Sequence, residues 1–146
     1  MSSANEFKTY IRLLCRFLLP VFLLVEYDYE IHWMPVDEET DDGGGDIAAR
    51  ISMDHVYLNF QLQIFPRLRA MFEEGTLHQI AAVVVHEFSH LLTQPMYCEA
   101  LADVAPSQVN SLRDLNERQT QRVANVVMAS LPKNWYKPAT LKKAIS

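Results

Sequence analysis

Cysteine is scarce in this chain: its 146 residues hold two, Cys15 and Cys98. Two thiols are too few for a disulfide framework, and their spacing is not that of a zinc knuckle. The pattern suits a reduced, cytoplasmic setting with both thiols in the core. Long apolar runs are missing too. The strongest, residues 17–25 (FLLPVFLLV), follows Lys8, Arg12 and Arg16 as the apolar part of a signal peptide would. Glu26, Tyr27 and Asp28 then stand where a small-residue cleavage site would be needed. Nine residues interrupted by Pro20 are also too short to span a bilayer. Neither export nor a membrane anchor is expected.

A concentration of positive charge is absent as well. Thirteen Lys and Arg face eighteen Asp and Glu, for a net charge of −5, and no basic cluster dominates a face. Nucleic acid is therefore not the expected partner. There is no internal repeat, no low-complexity block and no linker. With 49% hydrophobic residues the chain has the means for a real core, and residues 1–146 read as one domain.

What the chain does have is a long apolar stretch with a polar insert, residues 77–94 (LHQIAAVVVHEFSHLLTQ). It reads as a buried helix, because it is hydrophobic on nearly every side. Thr76 followed by Gln79 suggests a capping box, Gly75 ends whatever precedes it, and Pro95 marks the stop. Inside lies His86-Glu87-Phe88-Ser89-His90, an H-E-x-x-H pattern. Residues four apart share a helix face, so both imidazoles can reach one ion. Glu87 projects beside them, placed to take a proton from water that a Zn²⁺ ion acidifies. The bland alternative is two core histidines satisfied by carbonyls, with Glu87 in a salt bridge. Burying three polar groups costs several kcal/mol unless each is fully bonded, and a cation offsets that cost.

The rest of the chain reads as a small α+β protein. Residues 5–18 carry an apolar stripe (Phe7, Tyr10, Ile11, Leu14, Leu18) opposite Lys8, Arg12 and Arg16, a surface helix ended or kinked by Pro20. Residues 26–34 alternate as a half-buried strand closed by Pro35. Residues 36–46 (VDEETDDGGGD) form an acidic, glycine-rich loop without the EF-hand ligand spacing. Residues 47–53 and 56–64 alternate on either side of Asp54-His55, which suggests an antiparallel hairpin. The uncharged polar row Tyr57, Asn59, Gln61 and Gln63 suits an edge strand able to pair with an extended peptide, or a plain solvent face. Residues 66–74 form a short helix. Residues 96–103 form a short helix or turn, and a long helix runs from Pro106 to about Ser130, stopped by Leu131-Pro132. The basic tail from Lys133 packs one aromatic of the Trp135-Tyr136 pair and frays beyond it.

A catalytic zinc site takes three protein ligands and leaves a fourth position for water. After His90 the candidates are Glu99, Asp103, Asp114 and Glu117. Glu117 is favoured. It borders the apolar stripe of the second long helix beside Thr120 and Ala124, and a helix packed against the motif helix would present it to the ion. Gln121, one turn on, would support the site. Glu99 is the alternative and requires the chain to turn back sharply at Pro95.

On these motifs the chain resembles a minimal zincin metallopeptidase of the gluzincin kind, with two His and one Glu on zinc. VVVHEFSHLL is similar to small zincin-like proteins of phages and mobile elements, and to stress-response and repressor-cleaving peptidases of bacteria. The letter match is confined to residues 86–90. Thr93 and Met96 replace the Gly and His of the metzincin extension, which excludes that subclass. Asn116-Glu117 followed by Gln121 matches half of the thermolysin-like signature. The resemblance implies a motif helix beneath a small three-stranded sheet, His86, His90 and Glu117 as ligands, Glu87 as general base, and a peptide or protein as substrate. Tyr97, His78, Tyr136 and Arg122 are the candidates for stabilising an oxyanion. The rival functions are a regulatory zinc-binding module acting through a protein partner, and a DNA-associated SprT-like protease, which the acidic charge disfavours.

Overall fold

The computed structural model describes residues 3–39, 46–54 and 56–146. Most of the acidic glycine-rich loop (40–45) and His55 lie outside them. The chain is α+β: a helix, three strands, then four helices. Helix α1 (Ser3–Val21) buries Phe7, Tyr10, Ile11, Leu14 and Leu18, as its 3.6-residue stripe predicts, together with Cys15. Pro20 falls in its last turn, and Leu23 then adopts a left-handed conformation (φ 58°) that turns the chain towards the sheet.

Strands β1 (Asp28–Trp33), β2 (Ala49–Asp54) and β3 (Asn59–Ile64) form a mixed sheet of order β1-β3-β2. β1 runs parallel to β3, with Asp28 opposite Asn59; β2 runs antiparallel, with Ala49 opposite Ile64 and Asp54 opposite Asn59. The alternation read in the sequence holds. Phe60, Leu62 and Ile64 are buried on the helix side with Ala49, while Arg50, Asn59 and Gln61 are exposed.

The hairpin is shorter than expected. β3 begins at Asn59, because the Asp54 carboxylate accepts the N–H groups of Val56 and Tyr57 and closes a turn there. Val56 and Tyr57 are therefore solvent-exposed, and Leu58 has φ 53°. β3 is also central, so the row from Tyr57 to Gln63 is not an edge. The edge strand facing the motif helix is β2.

Helix α2 (Pro66–Glu73) starts on its proline and is followed by Gly75 at φ 80°, a left-handed position that glycine adopts without strain. Helix α3 (Leu77–Leu101) carries the motif. Thr76 is its N-cap residue, but the hydroxyl donates to Met71 O and makes no capping bond. The expected stop at Pro95 fails, and the helix runs through it to Leu101. A proline inside a helix removes one hydrogen bond; beyond it Met96, Tyr97 and Ala100 line one wall of a groove whose other wall is the next helix. That helix, α4 (Val109–Ser130), enters through a 3₁₀ turn at Pro106–Gln108. It ends at Leu131 (ψ 150°), extended as a residue before proline must be.

The tail does not fray. Trp135 is buried and stacks on Phe17 with ring centroids 5.2 Å apart, and helix α5 (Pro138–Ile145) buries Leu141. Proline at its first position and Lys142 and Lys143 in its last turn favour a short helix. Cys15 is a core thiol, but Cys98 is exposed. Among the described residues no helix is long and apolar enough to cross a membrane.

Candidate metal centre

The N-terminal half of α3 is core. Ile80, Ala81, Val84, Val85 and Phe88 are fully buried, and Phe88 meets Phe60 edge-on at 5.6 Å. That packing fixes the helix's rotation and so aims His86, Glu87 and His90 at the space between β2 and α4. The two imidazoles stand one turn apart, with centroids 4.9 Å apart and planes at 85°.

From α4, Glu117 reaches both rings. Its two carboxylate oxygens lie 3.5 Å from His86 Nε2 and 3.3 Å from His90 Nε2. One ligand atom from each of the three residues falls within 4.8 Å of the others, and this is the one such group among the described residues. Of the candidates for a third ligand, the structure brings Glu117 to the histidines. Glu99 and Asp103 border a separate surface hollow beside Met96, and Asp114 is exposed on α4.

The far side of each ring meets a polar side chain of α4. His86 Nδ1 lies 3.0 Å from Gln121 Oε1, and the Gln121 amide N–H donates to Asn125. The Gln121 oxygen therefore accepts from His86 Nδ1, which leaves Nε2 turned towards Glu117. His90 is held through Thr120. That hydroxyl is fully buried, donates to Asn116 O, and lies 2.8 Å from Thr93 Oγ1 and 3.5 Å from His90 Nδ1. Both Nε2 atoms thus face the Glu117 carboxylate across little more than 3 Å. Groups so placed need positive charge between them, either a proton on each ring or one cation shared by all three side chains. Burial holds His90 below the ordinary histidine range, with Glu117 pulling it up and His86 pushing it down. Two imidazoles with one carboxylate form a zinc-type ligand set.

Glu87 points to the other wall. Its Oε2 accepts the N–H of Ile51 at 3.1 Å. Burial pushes its carboxyl up to about 8; the Ile51 N–H and Arg50 pull it down, and the Glu117 charge pushes it further up. In an antiparallel pair, N–H groups point alternately to the partner strand and away from it. With Ile51 turned outward, Ala49 and Met53 turn outward too. Apart from the bond to Glu87, no described residue pairs with that edge between Ala49 and Met53. The edge, the motif face of α3 and Glu117 enclose an open cavity of about 730 Å³. Gln94 and Cys98, one and two turns beyond His90, continue its wall.

Sequence reasoning placed the two histidines, Glu87, Glu117 and Gln121. It missed the link from Thr120 to His90 and from Ile51 to Glu87. Thr120 sits three residues after Glu117, and that spacing could have flagged it; nothing local marks Ile51. None of the four candidate oxyanion donors lines the cavity. Tyr97 faces a different groove, and His78 packs on Tyr136. A comparison with known families, characterised proteins and solved structures finds no match for this chain.

Proposed function

We propose that the chain is a zinc-dependent peptidase of the minimal zincin kind, in which Glu87 acts as general base. The reading is carried by one observation: the Nε2 atoms of two imidazoles one helical turn apart converge with the Glu117 carboxylate, beside the half-buried Glu87 and an open strand edge. His86, His90 and Glu117 would hold the ion, with Gln121 and Thr120 fixing the two rings. When bound, Zn²⁺ supplies Lewis acidity, lowering the pKa of water and polarising a carbonyl.

The chain's own groups do the rest. Ile51 N–H holds one oxygen of Glu87 and leaves the other free to accept a proton from water in the cavity. The outward backbone groups of Ala49 and Met53 pair with a peptide laid along β2, adding a strand to the sheet and presenting a carbonyl to the site. A cavity of this size accommodates a few residues of an extended chain.

The absence of the expected oxyanion donors from the cavity wall favours a second reading, a zinc-binding module that regulates a partner without cutting it. One comparison separates the two. Wild type and Glu87→Gln are assayed for bound zinc and for cleavage of casein and of the chain itself. A peptidase keeps its metal in both forms and cuts only as wild type. Zinc in both with no cleavage in either selects the regulatory module, and cleavage that requires DNA selects the SprT-like alternative.

A further inference from the structure

From residue 92 to residue 119 no side chain is buried. This stretch is a helical hairpin, the distal part of α3 against the first half of α4, joined at its base by the Thr93–Thr120 hydrogen bond. The metal cavity lies on one side of that seam. On the other side the two helices form an apolar groove of about 470 Å³. Leu92 and Met96 line its α3 wall and Leu115 its α4 wall, and all three are exposed, Met96 at 77%. Twenty-eight residues with an apolar groove and no core of their own call for a covering partner.

The charges beside the groove indicate which partner. On α3, Glu99 and Asp103 share a surface hollow with Met96 and Ala100 of the groove wall. On α4, Arg118 and Arg122 each follow a groove residue, Leu115 and Gln119, by three positions, which places them along its outer border. One rim is acidic and the other basic, and among the described residues none of the four charges is in an ion pair. A surface with opposite charges on its two rims is complementary to itself about a twofold axis.

We propose that this groove is the contact with a second copy of the chain. The two hairpins pack as a four-helix arrangement in which Glu99 and Asp103 of each copy meet Arg118 and Arg122 of the other. The interface goes beyond the zinc reading and does not depend on it. It bears on the site all the same. Asn116 lines the groove and accepts the Thr120 hydroxyl, and Glu117 is the next residue, so covering the groove steadies the α4 turn that carries the third ligand.

Sedimentation equilibrium over the micromolar range tests this with four samples: wild type, Glu99→Lys with Asp103→Lys, Arg118→Glu with Arg122→Glu, and the chain carrying all four changes. All altered positions are exposed, and circular dichroism checks that each variant keeps its helices. Wild type should reach twice the chain mass. Each half-reversed variant should associate at least about tenfold more weakly, since every contact across the axis becomes repulsive. The fully reversed chain, and a mixture of the two half-reversed chains, should recover association. A wild type that stays monomeric throughout overturns the proposal. So do half-reversed variants that associate as tightly as wild type.

Discussion

The two halves of α3 make a sharp contrast. Up to Leu91 the helix is locked into the core by Phe88 and its neighbours; from Leu92 it leaves the core and packs chiefly on α4. The histidines belong to the first half, with side chains 23% and 17% exposed, while Glu117, at 54%, projects from the hairpin that the second half helps to build. Two of the three proposed ligands are therefore set by the core and the third by an element without one. Local stability follows buried apolar contact, so the centre joins a rigid half to a compliant half. Thr120, fully buried at the base of the hairpin, ties them together.

Breaking the rigid half has the largest effect. Phe88→Ala removes a fully buried ring from between Phe22 and Phe60 and should cost roughly 3–5 kcal/mol in denaturant unfolding. Leu112→Ala in the hairpin should cost about 1 kcal/mol or less. Equal losses would erase the distinction.

The next effect is electrostatic. In chelator-treated protein, burial raises the Glu87 carboxyl to about 8, above its unfolded value near 4.3. The folded chain then holds a proton that the unfolded chain has released. The stability this contributes is complete below about pH 4 and disappears as pH rises through about 8, a loss of roughly 3–5 kcal/mol. His90, held below its usual range, gives the opposite slope near and below pH 6.5. The difference between wild type and Glu87→Gln isolates the first contribution: the variant should lack the decline between about pH 4 and pH 8. Zinc should remove the decline too, because its ligands and neighbouring acid are favoured in their deprotonated forms.

The smallest effect sharpens the tie between the halves. Thr120→Val keeps the shape but removes the hydroxyl that Thr93 and His90 share as a partner and that donates to Asn116 O. It should cost about 1–2 kcal/mol of stability and lower zinc affinity about 10- to 100-fold. Unchanged affinity would mean that His90 is oriented by its own helix alone.

The rigid half was also the legible half. The i, i+4 spacing of His86 and His90, the alternation of Phe60, Leu62 and Ile64, and the stripe of α1 are local periodicities, and a periodicity survives in the sequence. Failures came where distant contacts overrule local signals. Pro95 is a helix stop by its own chemistry, yet α3 runs past it alongside α4 to Leu101. Val56 and Leu58 continue the β3 alternation, but the Asp54 carboxylate draws them into a turn. The tail looked ready to fray because nothing local shows that Trp135 and Leu141 find α1. Glu117 was singled out from its place beside Thr120, and the structure brings it to both histidines; its exposure matches the ordinary surface glutamate that makes such a reading difficult.

Zinc titration by calorimetry tests the central claim most directly, on wild type, His90→Ala and Glu117→Ala. One ion per chain is expected for wild type, no measurable binding for His90→Ala, and at least about a hundredfold loss for Glu117→Ala, with folding intact in all three. A wild type that takes up no zinc, or a Glu117→Ala variant that binds it as tightly, would contradict the account.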